Sequence, residues 1–199
     1  MSQLPQPAPL GLAPSFGFGD RLGLATPGHL EALQRHGGPI RGIFAQQSIR
    51  EMTRTRRTPE QVMAAAQQTL AANGFSDPWG ADADHLKTEQ DVDVTAAAGF
   101  TFFTIDPSDH VDPHADSYTD QELDAKFRAI RDQVPWLSRY EGKTIRVEGG
   151  PAIHFDSRTL QRAAVKYGKA IAHSLRIAAH IDRVMTQQGK AYEIELSVD

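Results

Sequence analysis

Residues 80–107 read GADADHLKTEQDVDVTAAAGFTFFTIDP, and this stretch decides the fold class. The run Phe100 to Ile105 is dense in aromatic and β-branched side chains, which suit a pleated, buried surface. It stops at Asp106-Pro107, where the proline restricts the residue before it and removes a backbone donor. Gly80 to His85 reads as a second, shorter strand. Between the two, Thr88 caps a helix with Asp91 three residues on, where side-chain oxygens satisfy the first free N–H groups. A strand, a helix and a strand in such short compass form a βαβ unit, and successive βα units imply a parallel sheet.

The same rhythm extends outward. Upstream, the run Pro14 to Phe18 ends in Gly19-Asp20, and a helix starts at Thr26 with Pro27 at its first position. The run Ile40 to Ala45 ends in Gln46-Gln47. Thr58-Pro59-Glu60 then starts a helix through Val62, Ala66 and Leu70, with Gly74 as its stop. Downstream, Thr119 and Glu122 make a capping box. Leu123, Phe127, Ile130, Val134 and Leu137 follow at alternating helical spacing. Lys143 to Glu148 and Ala152 to Phe155 flank Gly149-Gly150 and predict a β-hairpin, taken as an insertion, with barrel strand five as its alternative. A long helix runs from about Ser157 to Gln188. Its expected buried stripe is Leu160, Ala164, Tyr167, Ile171, Leu175, Ala178, Ile181 and Met185. His173, Arg176, His180 and Arg183 lie off that stripe and read as surface. The last run is Ala191 to Asp199.

The expected architecture is therefore α/β, an incomplete (β/α)8 TIM-type barrel with about five barrel strands plus an inserted hairpin. The chain has 199 residues, and a complete barrel usually takes about 250. Residues 1–13, carrying Pro5, Pro7 and Pro9, predict a disordered lead-in, and residues 14–199 the N-terminal part of a barrel catalytic domain. Unpaired strand edges and a bare face would favour self-association or a partner that supplies the missing C-terminal half.

Bulk chemistry narrows the function. The formal net charge is −4, which gives no electrostatic case for nucleic acid. There is no cysteine, so a disulfide or thiolate-bound metal is impossible. The N-terminus has neither the basic nor the apolar part of a signal peptide, and no run approaches the roughly 18 apolar residues of a membrane span. A cytoplasmic protein without membrane attachment is expected.

In α/β barrels the chemistry sits at the C-terminal ends of the strands. Here those ends carry Asp20-Arg21, Gln46-Gln47 with Arg50 and Glu51, Asp84-His85-Leu86-Lys87, and Asp106 with Asp109 and His110. The last strand places Glu193, Glu195, Ser197 and Asp199 on one face. The strand starts carry no comparable set. A carboxylate beside an imidazole that binds a metal suits proton transfer. The bland alternative is a capping Asp84 with His85 satisfied in the core, and a solvated face for the acids of the last strand. Arg54, Arg56 and Arg57 can attract an anion or simply stand in solvent.

Several strings resemble those of the tagaturonate epimerase family: PSFGFGDRLGLATPGHL, FAQQSIREMTRT, GADADHLKT, AGFTFFTIDPSDHVD and YEIELSVD. The resemblance covers most of the chain from about Pro14 onward. It implies a divalent-metal-dependent barrel enzyme that interconverts tagaturonate and fructuronate in hexuronate catabolism. It also implies Asp84 as general base, His85 as a metal ligand, and an acid on the YEIEL strand, taken as Glu195 over Glu193. Gln46, Arg50, Lys87 and Asp106 would bind substrate, with Arg50 or Lys87 holding its carboxylate. The inverted stereocentre lies one carbon beyond the position next to the ketone, so enolisation alone cannot invert it. A retro-aldol opening and re-addition can. The family's other metal ligands would lie further along a longer chain, so 199 residues alone are expected to be inactive. The alternatives are a metal-dependent aldolase or isomerase acting on another sugar acid, and a non-catalytic fragment.

Overall fold

The structure is a computed structural model that describes residues 4–198. Asp199, read as the last member of the acidic face, lies outside them. The described residues divide into two compact units, one running to Asp106 and resuming at Arg176, the other spanning Pro107–Leu175.

The first unit is built on five strands: β1 (Ser15–Gly19), β2 (Arg41–Ser48), β3 (Gly80–Leu86), β4 (Phe102–Ile105) and, late in the chain, the strand Glu193–Leu196. They lie side by side in that order, and every neighbouring pair is parallel. The first connections are helical: α1 (Thr26–His36), α2 (Ile49–Thr55), α3 (Pro59–Ala72) and α4 (Glu89–Ala97). Capping boxes start three of these helices, at Ser48/Glu51, Thr58/Gln61 and Thr88/Asp91. In each, two free donors are satisfied reciprocally, which fixes where the strand-end loop gives way to helix.

One face of the sheet is apolar. Phe44, Ala81, Ala83, Phe103 and Ile105 pack in a single buried cluster with Leu30, Met52, Met63, Leu70 and Val92 from the helices. Fully burying one such large apolar side chain is worth about 1.5–3 kcal/mol, so this cluster is the main stabilising feature of the unit. The residues between them, Asp82, Asp84, Phe102 and Thr104, point the other way, because strand side chains alternate.

The lead-in is more fastened than expected of a disordered segment. Residues 4–13 carry no helix or strand. Yet Ala8 N–H donates to Trp79 O, Leu10 is buried, and the backbone N–H groups of Leu10 and Gly11 donate to the Glu193 carboxylate.

The second unit holds α5 (Asp120–Ile130), the hairpin of β5 (Thr144–Arg146) and β6 (Ala152–His154), and the first part of α6 (Ser157–Gln187). With these labels the late strand Glu193–Leu196 is β7. The hairpin forms its own two-stranded antiparallel sheet, so it is not a strand of the parallel sheet. The apolar stripe read as one helix through Leu137 is broken: α5 ends at Ile130 and short 3₁₀ turns follow at 131–133 and 135–139. Pro135 lacks the donor that would continue it. Leu123, Ile130 and Val134 nonetheless share one buried cluster with Ala164 and Val165.

The stripe of α6 also differs from expectation. Tyr167 and Leu175 are exposed, whereas His173 and His180 are buried. The reason is local pairing. The His173 ring lies against His110, tilted by 30° with centroids 4.1 Å apart, and His180 Nε2 lies 2.6 Å from Asp93 Oδ1 while Arg183 donates to its other nitrogen. With both ring nitrogens paired, the His180 imidazole loses little on burial.

Candidate active site

The polar face of the sheet opens into a cleft of about 710 Å³. Its chemistry comes from alternation in four strands. Gln46 on β2 is in register with Asp82 on β3, Asp82 with Phe102 on β4, and Phe102 with Glu193 on β7. One step along, Ser48 faces Asp84, and Thr104 faces Glu195. Gln46, Asp82, Asp84, Glu193 and Glu195 all line the cleft. Opposite them, β1 offers Gly17, where a Cβ would come within 3.0 Å of Gln46 Oε1. A larger residue at 17 would make the glutamine side chain give by a few tenths of an ångström.

At the end of β3 the backbone turns. His85 adopts φ 54°, a left-handed conformation uncommon for a residue with a side chain. The register with β4 shifts between Ala83 and Leu86. The turn puts the imidazole between two acids: Nε2 lies 3.6 Å from Asp84 Oδ1, and Nδ1 lies 3.3 Å from Asp106 Oδ2. Lys87 Nζ is 3.6 Å from the same Asp106 oxygen. Asp84 thus belongs both to the cleft and to this strand-end cluster. The strict alternation of β3 would have sent Asp84 and His85 to opposite faces; the local turn overrides it.

The electrostatics follow from crowding. Burial pushes Asp82 up to about 7, and the charges of Asp84 and Glu195 add to it, against the hydrogen bonds from Thr104 and Gln46. Asp84 is also raised, first by burial, then by Glu51 and Glu195, with His85 acting the other way. A carboxylate so placed is a stronger base than an exposed one. Glu193 is committed to the backbone of Leu10 and Gly11, whereas Glu195 faces the cleft with no such anchor.

The structure brings Gln46, Asp84 and Glu195 together, with His85, Lys87 and Asp106 adjoining through Asp84. It does not bring Arg50 there. That residue is exposed on α2 and is not among the cleft-lining residues, because α2 starts directly after its cap Ser48 and carries the side chain away. Asp20, one of the strand-end acids, is structural. Its carboxylate accepts from the N–H groups of Gly23, Leu24, Ala25 and Thr26 and from the Thr26 hydroxyl. Burial alone would raise it, but these hydrogen bonds together lower it to about 2. Arg57 is likewise occupied, donating to Asp20 O and Gln61 O. Asp82 is the cleft residue to which the sequence reading assigns no role. Its signal was the i, i+2 pairing with Asp84 on one strand face.

Among the described residues no group of three His, Cys, Asp or Glu side chains stands in a metal-ligating arrangement. One imidazole and its flanking acids do not by themselves make a catalytic metal site, which normally takes three or more protein ligands.

Comparison with known proteins now decides the family. A family model for tagaturonate epimerase matches residues 2–199. The chain belongs to the tagaturonate epimerase family. A tagaturonate/fructuronate epimerase from Thermotoga maritima is 41% identical over 194 residues, covering 98% of this chain and 39% of that protein. The glycerol-complexed crystal structure of the fructuronate-tagaturonate epimerase from Cohnella laeviribosi matches with TM-score 0.84 at 35% identity, over 98% of this chain and 39% of the other. The native crystal structure of that enzyme matches with TM-score 0.83 at 34% identity. The chain therefore spans about two fifths of the length of the relatives it matches. Among the described residues no helix is long and apolar enough to cross a membrane.

Proposed function

We propose that these residues form the acid–base part of a metal-dependent epimerase that interconverts tagaturonate and fructuronate, working in the cytoplasm in hexuronate breakdown. The observation that carries this is the meeting of Asp84 and Glu195 on one cleft of a chain that belongs to the epimerase family. Asp84 takes the proton of the hydroxyl at the stereocentre to be inverted. The carbon–carbon bond between that centre and the carbon next to the ketone breaks, leaving an aldehyde and an enolate. The aldehyde turns, the enolate re-adds to its other face, and the proton returns to the new alkoxide. Glu195 serves as the acid partner, and Glu193 is set aside because it is spent on the lead-in backbone. Gln46, Lys87 and Asp106 hold the substrate.

A divalent cation would supply Lewis-acid stabilisation of the developing negative charge. His85 is a single candidate ligand, so we place the remaining ligands outside residues 4–198. The same holds for the architecture. The sheet is read as an arc of a (β/α)8 barrel, with β1 and β7 as its edges. On β7, Ile194 and Leu196 are 40% and 55% exposed, although their register partners Phe103 and Ile105 on β4 are fully buried. That bare stretch fits a further βα unit, supplied by the remainder seen in the relatives.

The test is direct. D-Tagaturonate is incubated with a divalent metal and either the 199-residue chain or a chimaera in which the chain replaces the matched segment of the Thermotoga maritima epimerase. Carbon-13 NMR of the sugar acids is expected to show fructuronate with the chimaera and none with the chain alone. An inactive but folded chimaera would count against the proposal, and turnover by the chain alone would overturn the need for a remainder.

A further inference from the structure

Asp82 is the third residue of β3 and only 5% exposed. Its side chain lies on the cleft floor with Gln46, Asp84, Phe102 and Glu195. Thr104 Oγ1 donates to its Oδ1 at 2.9 Å, and the Gln46 side chain is a second partner. A carboxylate offers about four acceptor positions, so the protein leaves this one short. Among the described residues no lysine, arginine or histidine pairs with it, and the charges nearest it, Asp84 and Glu195, repel it.

Such a group does not serve the fold. The β3–β4 ladder already holds the strands on either side, through Asp82↔Phe102 and Ala83↔Phe103. A buried, crowded and under-bonded acid costs stability, and an amide or apolar residue would sit there more comfortably. The cost is recovered only if something entering the cleft brings hydrogen-bonding groups to that floor. A polyhydroxylated chain does this along its length.

We propose that Asp82 is a substrate-binding residue, its carboxyl holding a hydroxyl of the bound sugar acid against the floor of the cleft between β3 and β4. The identity of the ligand as a sugar acid rests on the epimerase reading; the role of Asp82 in holding a hydroxyl does not. Crowding by burial and the two acids, which brings the group to about 7, lets it donate or accept within the neutral range.

Asp82→Asn tests this, because the amide keeps the size and an acceptor for Thr104. Two measurements are made on the 199-residue chain at pH 8. The first is the urea midpoint without ligand, expected to be unchanged or higher in the variant. The second is binding of D-tagaturonate and of galactitol, a neutral six-carbon polyol, followed by the NMR shifts of the Gln46 side-chain amide. Wild type is expected to bind and the variant to bind about tenfold more weakly or worse, the loss typical of a hydrogen bond to a charged group. If galactitol binds in this Asp82-dependent way and tagaturonate does not, the role of Asp82 stands and the keto-acid reading falls. A lowered midpoint in the variant, equal binding by both proteins, or binding of neither probe to wild type would overturn the proposal.

Discussion

Replacing Asp20 by alanine should destabilise the first unit by about 2–3 kcal/mol at pH 7. The carboxylate accepts five hydrogen bonds across the turn from β1 into α1, which hold it at about 2 instead of 3.8. At about 1.4 kcal/mol per tenfold change in proton affinity, that difference corresponds to somewhat over 2 kcal/mol. The residue is buried, so solvent screens little of it. The sign is that of a depressed acid: the folded form binds the proton less well than the unfolded chain. The contribution is complete above about pH 4 and is lost as the pH falls through about 2. For a chain of this size the pH 7 effect is a fall of about 4–10 °C in midpoint. Urea titrations at pH 7 and at steps between pH 4 and 2 would measure it. Trp79, buried in the first unit's cluster, is the reporter, with Trp136 of the second unit replaced by phenylalanine. A difference under about 0.5 kcal/mol at pH 7, or one that persists unchanged at pH 2, would refute the assignment of Asp20 to the fold.

Three more consequences can be checked. Glu193→Ala should release the lead-in and speed hydrogen exchange of the Leu10 and Gly11 amides at least tenfold; unchanged exchange would contradict the anchoring role. His85→Gly should keep or raise the urea midpoint, since glycine adopts φ 54° freely, whereas the β-branched His85→Val should lose about 1–3 kcal/mol; equal midpoints would mean that the turn carries no strain. In the chimaera with the Thermotoga maritima enzyme, the acid limb of kcat/KM should fall above the ordinary carboxylate range, because Asp84 is raised by burial and neighbouring acids and must be deprotonated to act. An acid limb at or below pH 3.8 would exclude Asp84 as that base.

The sheet was legible because each of its strands ends in turn or cap chemistry. The βαβ unit at residues 80–105 is found as β3, α4 and β4, with Thr88 capping as expected. Helix α2 went unread, although Ser48 and Glu51 spell a capping box, because the polar Gln46-Gln47 looked like the end of the strand. The acids on β3 and β7 were visible as period-2 pairs. Which of each pair does what was not, since it depends on contacts distant in sequence: Glu193 on the lead-in, Asp82 on Thr104. The two histidines of α6 illustrate the same limit. His180 is buried because Asp93, 87 residues earlier, meets it, and no periodicity within the helix encodes that partner.

The most direct test is turnover by the chimaera carrying Asp84→Asn, Glu195→Gln or Glu193→Gln. If the cleft is the acid–base site, the first two should each lose at least about a hundredfold in kcat, while Glu193→Gln keeps most of its activity. Near-wild-type turnover by Asp84→Asn, or a Glu193→Gln variant crippled while Glu195→Gln works, would contradict the account.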